Sequence, residues 1–383
     1  MKSFLLIALA LLAGCATPHA RRTDVLFWNQ AQREANFRAM ETQYASNVVH
    51  HGIAHPLPAG QPLQPAFADG TTLDSYMAAH HVAGILVIQD GKVRLERYGL
   101  GANAQTRWTS FSVAKSFTST LVGAALRDGA IHSLDDTVTR YIPELSAGAY
   151  RDVTVRQLLT MTSGVRWNED YSDPHSDVAQ MYEGRRVAGQ PLLVTYMAPL
   201  PREFAPGERW VYKTGETDLI GILVQRATGK TLAAYLSEKI WRPYGMAADA
   251  LWLKDDVDGT EAGGSGVSAT LGDYARLGQF LLDGGVAGGH PVLADGWLAD
   301  AATKHADIGV PGRGYGYQWW TWDNGAFAGI GIFGQLLHVD PARHLVIVQL
   351  AAWPVATDDA QAKARGDFVQ AVTRAADASP ALH

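Results

Sequence analysis

Strand-like stretches lie near both ends of this chain, and helical periodicity fills the middle. That order most constrains the fold, because strands far apart in sequence must meet in one sheet while the helices between them form an insertion. Val82–Tyr98 reads as two strands around Asp90-Gly91, a dipeptide suited to a two-residue hairpin turn. Ile332–Val339 and His344–Ala352 read as two more, joined by Asp340-Pro341-Ala342-Arg343. Between them, Ser112–Arg127 carries Phe117, Leu121 and Ala124 on one helical face. Further helices are expected over Asp152–Ser163, Glu216–Ala227 (stopped by Gly229), Thr231–Trp241 and Asp358–Ala376. Another, up to Leu282, is opened by a Thr270/Asp273 capping box. The expectation is an α+β fold. Residues 27–135 and 256–383 form one α/β lobe, and residues 136–255 form a mostly helical lobe.

Composition narrows the function classes. The chain has 38 acidic and 32 basic residues, a formal charge of −6, so it lacks the basic excess of a nucleic-acid binder. It has one cysteine, Cys15, which excludes intramolecular disulfides and Cys-based zinc sites. No His-Glu-x-x-His is present, and adjacent histidines such as His50-His51 diverge on a strand, so no metal is expected. No Gly-x-Ser-x-Gly elbow occurs, and no cofactor is expected.

The amino terminus supplies the address. Lys2 precedes an apolar run from Phe4 to Ala13, too short to cross a bilayer, where ~20 residues are needed. Residues 1–14 therefore read as a signal peptide. Leu12-Ala13-Gly14-Cys15 resembles a bacterial lipobox, which implies cleavage before Cys15, lipidation there, and a tether over residues 15–26. The implied location is the cell envelope, as an exported lipoprotein facing the periplasm, with several acyl chains giving a stable anchor.

Ser112-Val113-Ala114-Lys115 is the one S-x-x-K in the chain. At the opening of a helix, residues three apart share a face, so the Lys115 amine can reach the Ser112 hydroxyl. A serine needs an adjacent base to attack a carbonyl, and a lysine in a partly dry site can lose its proton and serve as one.

The run Trp108–Thr118 resembles the nucleophile segment of the penicillin-recognising serine hydrolases. So does Leu158–Gly164, where many relatives carry His at the position of Met161. Phe204–Tyr212 is similar to the segment before the family's catalytic tyrosine. The three blocks occur in family order, and the resemblance spans roughly residues 70–355. Within the family, Ser110–Thr118, Trp167–Tyr171 and Gly329–Gln335 most resemble the 6-aminohexanoate-dimer hydrolases and related carboxylesterases. The resemblance implies a class C β-lactamase-like fold, an antiparallel sheet flanked by helices. It implies that Ser112 attacks, Lys115 helps deprotonate it, and Tyr212 relays the proton. The second motif, usually Tyr-x-Asn, reads Tyr212-Lys213-Thr214, which counts against recognition of a β-lactam side chain. The third matches Gly329-Ile330-Gly331-Ile332, with the N–H groups of Ser112 and Ile332 as the oxyanion hole and Gly331 admitting substrate. A register ending Gly334-Gln335 stays open. No cation stands in this motif for a β-lactam carboxylate.

Tyr171 matches a family position near the substrate. Trp167, Trp319, Trp320 and Trp322 are candidates for the wall of an apolar acyl pocket. Asp170, Asp173 and Asp177 are candidates to hold a substrate ammonium, Asp177 above all. The function read from these residues is a serine hydrolase acting on a small-molecule ester or amide. The alternatives are a β-lactamase or penicillin-binding D-Ala-D-Ala hydrolase, and a catalytically silent envelope-binding lipoprotein. For the anchor, Cys15→Ser is expected to release the protein from membranes on fractionation or to block its maturation. A variant that is processed and stays membrane-bound like wild type would remove the lipoprotein reading.

Overall fold

The computed structural model describes residues 22–379. The expected signal peptide, Cys15 and residues 15–21 of the tether lie outside the described residues. Residues 22–26, expected as part of that tether, lie in a folded turn. Arg22–Phe27 is a 3-10 turn, and Val25 is buried in the main core.

One antiparallel sheet organises the molecule. Its strands are β1 (Val82–Gln89), β2 (Lys92–Tyr98), β3 (Arg313–Tyr315), β4 (Trp320–Trp322), β5 (Phe327–Gly331), β6 (Gln335–Asp340) and β7 (Leu345–Ala351). Their order across the sheet is β2-β1-β7-β6-β5-β4-β3. The two amino-terminal strands thus pair with five carboxy-terminal ones, as the strand distribution requires. Asp90 and Gly91 both have positive φ, 49° and 72°, which makes the tight turn that pairs Gln89 with Lys92. Every residue of β1 and β7 is buried. Helices cover both faces of these central strands, which is why they read as continuous apolar runs rather than alternating ones.

Four helices carry most of the argument: α1 (Ala114–Arg127), α2 (Thr214–Thr228), α3 (Leu271–Leu282) and α4 (Asp359–Ala378). α4 packs Phe368, Val372 and Ala376 against Ile85, Val87 and Ile347 on one face of the sheet. α3 packs the other face. A Cβ on Gly278 would stand 2.5 Å from Val346 Cγ1, so glycine sets that close distance. α1 is buried along nearly all its length and lies against α2.

Several expectations shift in detail. The nucleophile helix begins as a 3-10 turn, Phe111–Val113, before α1. The helix expected over 152–163 is only Val155–Leu159; Met161 and Gly164 take positive φ and end it. The one over 231–241 is α-helical to Leu236 and then a π-turn over Ser237–Trp241. Thr270 does cap α3 through the Asp273 N–H at 3.2 Å. The Asp273 carboxylate instead takes the N–H groups of Ala247 and Ala248, so the capping box is one-sided. The strand expected from Ile332 starts at Gln335, because Phe333 sits at φ 59°. A second sheet, of residues 46–49, 250–253, 267–270 and 107–109, went unread. Its strand Ala250–Leu253 pairs with residues 46–49 and 267–268.

Candidate active site

Ser112 sits in the 3-10 turn that enters α1, and Lys115 lies one turn on. The Lys115 amine is 3.0 Å from Ser112 Oγ, 3.0 Å from Thr214 Oγ1 and 2.8 Å from the Gly264 carbonyl oxygen. The residue is 1% exposed. Burial pushes its ammonium down to about 8, against the opposing pull of Glu169 and Asp218. Its amine also lies 5.1 Å from the centre of the Tyr212 ring. Tyr212 lies beside Ser112, and burial followed by the Glu169 charge pushes its phenol far up, so it stays protonated at all working pH. Three chemically active side chains from two elements thus meet at one hydroxyl.

The turn that presents Ser112 is held in a conformation an aromatic residue rarely adopts. Phe111, just before Ser112, has φ 43°; Phe333, just after Ile332, has φ 59°. Their rings meet 5.2 Å apart, and Phe37 packs on both, at 4.9 Å and 5.3 Å. One aromatic cluster therefore fixes the two turns that carry Ser112 and Ile332. Glycine lets these turns approach. A Cβ on Gly331 would lie 2.6 Å from the Ser110 carbonyl, and one on Gly329 would lie 2.8 Å from Ser116 Oγ.

Ser112 and Ile332 line one cavity of about 70 Å³, with Thr214 and Tyr171 and mostly apolar neighbours. Leu26, Met40 and Tyr44 close part of it from the amino-terminal segment. Gln335, by contrast, is buried, and its amide bonds Ile332, Phe333 and Ala351 carbonyls. A Cβ on Gly334 would meet Trp353.

The sequence matches the family described as Beta-lactamase over residues 71–371. The chain belongs to the beta-lactamase family. It is 34% identical over 285 residues to the 6-aminohexanoate-dimer hydrolase of Paenarthrobacter ureafaciens, covering 70% of this chain and 72% of that one. It is 24% identical over 288 residues to a beta-lactamase of Yersinia enterocolitica, covering 68% and 70%. A solved Bacillus anthracis structure named for the same dimer hydrolase superposes with TM-score 0.78 at 24% identity, covering 91% of this chain and 95% of that one. A family VIII carboxylesterase superposes with TM-score 0.61 at 18% identity, covering 86% and 100%. The α+β expectation and the beta-lactamase-like fold both hold, and the chain is a serine hydrolase of the beta-lactamase family.

Against that family frame, the other expected residues divide. Tyr171 lines the cavity and donates to Glu169 Oε1 at 2.8 Å. Trp167 is not among the residues lining that cavity; its indole N–H donates to Glu169 Oε2. Among the remaining tryptophans, Trp320 stacks on Tyr212 at 5.7 Å, whereas Trp319 packs on Phe327 and Trp322 on His338. The candidate ammonium ligands turn inward on their own loop. Asp177 accepts from the Asn168 N–H at 2.7 Å and the Tyr196 hydroxyl at 2.8 Å. Asp170 holds Ser172, and Asp173 holds the His175 N–H. Each satisfies a turn, which is what short acidic side chains do in loops.

The sequence reading passed over Glu169, although it lies in the quoted Trp167–Tyr171 block. It receives Trp167, Tyr171 and both the N–H and hydroxyl of Thr214. The available signal was spacing: Trp167, Glu169 and Tyr171 alternate, so they can share one face. Asp218 was missed too; it holds the Gly264 N–H at 2.8 Å, and so fixes the carbonyl that faces Lys115.

The buried amine sets a pH dependence. Above its pKa of about 8 the amine is neutral and can take a proton; below it the lone pair is occupied. The kcat/KM for a neutral ester is therefore expected to rise with pH through a limb near 8, measured between pH 6 and 9.5. A profile already flat by pH 6.5 would exclude Lys115 as the titrating base.

Proposed function

We propose that this hydrolase cleaves carboxylic esters or linear amides through an acyl-enzyme on Ser112. The observation that carries the reading is the buried Lys115 amine 3.0 Å from Ser112 Oγ, beside a protonated Tyr212. Ser112 Oγ attacks the carbonyl carbon, and its proton passes to Lys115 Nζ. The N–H groups of Ser112 and Ile332 receive the negative oxygen, in the register ending Gly331-Ile332. The closeness of Gly331 to Ser110 and the shared cavity support that register over Gly334-Gln335. Tyr212 relays the proton to the leaving group, and water then clears the acyl group. A catalytically silent role has no use for all three groups at this spacing.

The substrate side of the site favours an uncharged acyl group. Its lining is mainly apolar, with Phe111, Met181 and Ile332 around Ser112, and Tyr171 at the edge. Asp170, Asp173 and Asp177 hold loop N–H groups and, for Asp177, the Tyr196 hydroxyl, and none of them lines the cavity beside Ser112, so no aspartate of this loop stands there for the ammonium of a linear amide such as a 6-aminohexanoate dimer. A β-lactam carboxylate finds no cation in Gly329-Ile330-Gly331. The chain acts, in this reading, from the cell envelope, held by lipid on Cys15.

Two measurements test the assignment. Ser112→Ala is expected to abolish turnover and fluorophosphonate labelling while the protein stays folded; full labelling of that variant would overturn the nucleophile. The second compares kcat/KM for a short-chain p-nitrophenyl ester with that for nitrocefin. A lost charge-assisted hydrogen bond costs about 1.5–3 kcal/mol, or roughly 10- to 150-fold. The ester is expected to win by at least that factor, and a nitrocefin value equal or higher would promote the β-lactamase alternative.

A further inference from the structure

We infer that Glu169 is a positioning residue that sets the proton order of the Ser112–Lys115 pair through the hydroxyl of Thr214. This rests on Ser112 and Lys115 acting as nucleophile and base, as proposed above.

The inference follows from counting protons. Four donors converge on the Glu169 side chain: the Trp167 indole N–H, the Tyr171 hydroxyl, and the backbone N–H and hydroxyl of Thr214. An ionised carboxylate only accepts, and all four contacts supply it with donors. Thr214 has one hydroxyl proton, and it is spent on Glu169. Thr214 Oγ1 must then act toward Lys115, 3.0 Å away, as an acceptor. The Gly264 carbonyl, 2.8 Å away, can only accept as well. A neutral amine has two N–H bonds, and both are claimed. What remains is the lone pair, and the remaining neighbour is Ser112 Oγ. The serine hydroxyl therefore points its proton at the nitrogen that will take it. Once the proton has moved, the ammonium has three N–H bonds and the same three acceptors. The shell fits the amine before transfer and the ammonium after it, with no rearrangement.

Charge adds to geometry. The groups facing the Lys115 amine are Glu169 from the loop, Asp218 on α2, Tyr212, and Tyr171 beyond Glu169. Lys213 turns away, toward the Val211 carbonyl and Glu216. Asp218 is engaged by the Gly264 N–H and the Tyr182 hydroxyl. Glu169 is the carboxylate hydrogen-bonded directly to an acceptor of the amine. During attack, as the C–O bond forms and the proton moves from Oγ to Nζ, it favours the positive charge that develops on Lys115. Glu169 itself touches neither the substrate nor the transferred proton.

The test is the pH dependence of kcat/KM for a p-nitrophenyl ester, measured on Glu169→Gln, Glu169→Asp and Thr214→Val. Glu169→Gln removes the charge that holds the Lys115 ammonium up. Its limb is expected to move to lower pH by about one unit, while the plateau falls roughly tenfold or more. Glu169→Asp keeps the charge, so its limb should stay near that of wild type even where its rate is lower. A Glu169→Gln variant that is slower with an unmoved limb, or one moved to higher pH, would mark a merely structural loop anchor and overturn the inference. Thr214→Val breaks the bridge and keeps the carboxylate; a plateau equal to wild type would overturn it too, even where Glu169→Gln fails to fold. Fluorophosphonate labelling of Ser112→Ala reads the underlying nucleophile separately, so the two readings fail in different experiments.

Discussion

A lysine amine buried at 1% exposure is the demand around which this structure is arranged. Desolvation disfavours its charge, and a buried amine with unmade hydrogen bonds is costly in either protonation state. The fold answers with a hydroxyl and a carbonyl brought from opposite sides. Thr214 opens α2, and Gly264 comes from the segment before the strand 267–270. Gly264 is small for a reason. A Cβ there would stand 3.0 Å from the Thr214 backbone oxygen and 3.4 Å from the Lys115 amine. Asp218, one turn along α2, then pins the Gly264 N–H. The packing of α1 on α2 is thus also the solvation shell of the Lys115 amine, and neither helix can shift without exposing or orphaning it.

The second constraint is distance across the cleft. In the proposed mechanism, two backbone turns come within reach of one substrate oxygen. Ordinary side chains on β5 would hold them apart, as Gly329 and Gly331 show by their closeness to Ser116 and Ser110. The cost is two left-handed aromatic residues, Phe111 and Phe333, a conformation of order 1–3 kcal/mol each. The Phe37–Phe111–Phe333 cluster offsets it by burying all three rings together. Phe37 comes from the amino-terminal segment, ahead of the region that matches the family. Leu26, Met40 and Tyr44 of that segment also reach the cavity. Residues outside the shared family core therefore support the turn and shape the space beside Ser112.

Much of this was legible in the chain. The long, fully buried strands and the helices with an unbroken apolar face announced themselves through runs and periods, as β1, β7 and α1 do. The short strands β3, β4 and β5 did not. They are three to five residues long, rich in Gly and Trp, and their pairing is decided by partners far away in sequence. Ser112, Lys115 and Tyr212 were readable because two share a helix opening and the third lies in a recognisable segment. Glu169 was not, because its importance is made by Thr214, 45 residues later. The neighbouring aspartates drew notice because loop acids are conspicuous, yet Asp177 is spent on Asn168 and Tyr196. A sequence shows which residues carry charge; only packing shows which charges are already used.

The exchange of Asn for Thr at position 214 then takes on a physical meaning. A side-chain amide carries two donors and an acceptor, enough to serve the lysine and still reach toward a substrate. A threonine hydroxyl has one proton, and here Glu169 takes it. The position keeps its service to Lys115 and gives up any donor to spare for substrate. Together with a third motif that offers only glycine and isoleucine, this leaves Ser112, Lys115 and Tyr212 beside a cavity whose lining is mostly apolar. In the reading proposed above, recognition in such a site comes from shape and burial rather than from charge, which suits an uncharged acyl group far better than a ring bearing a carboxylate.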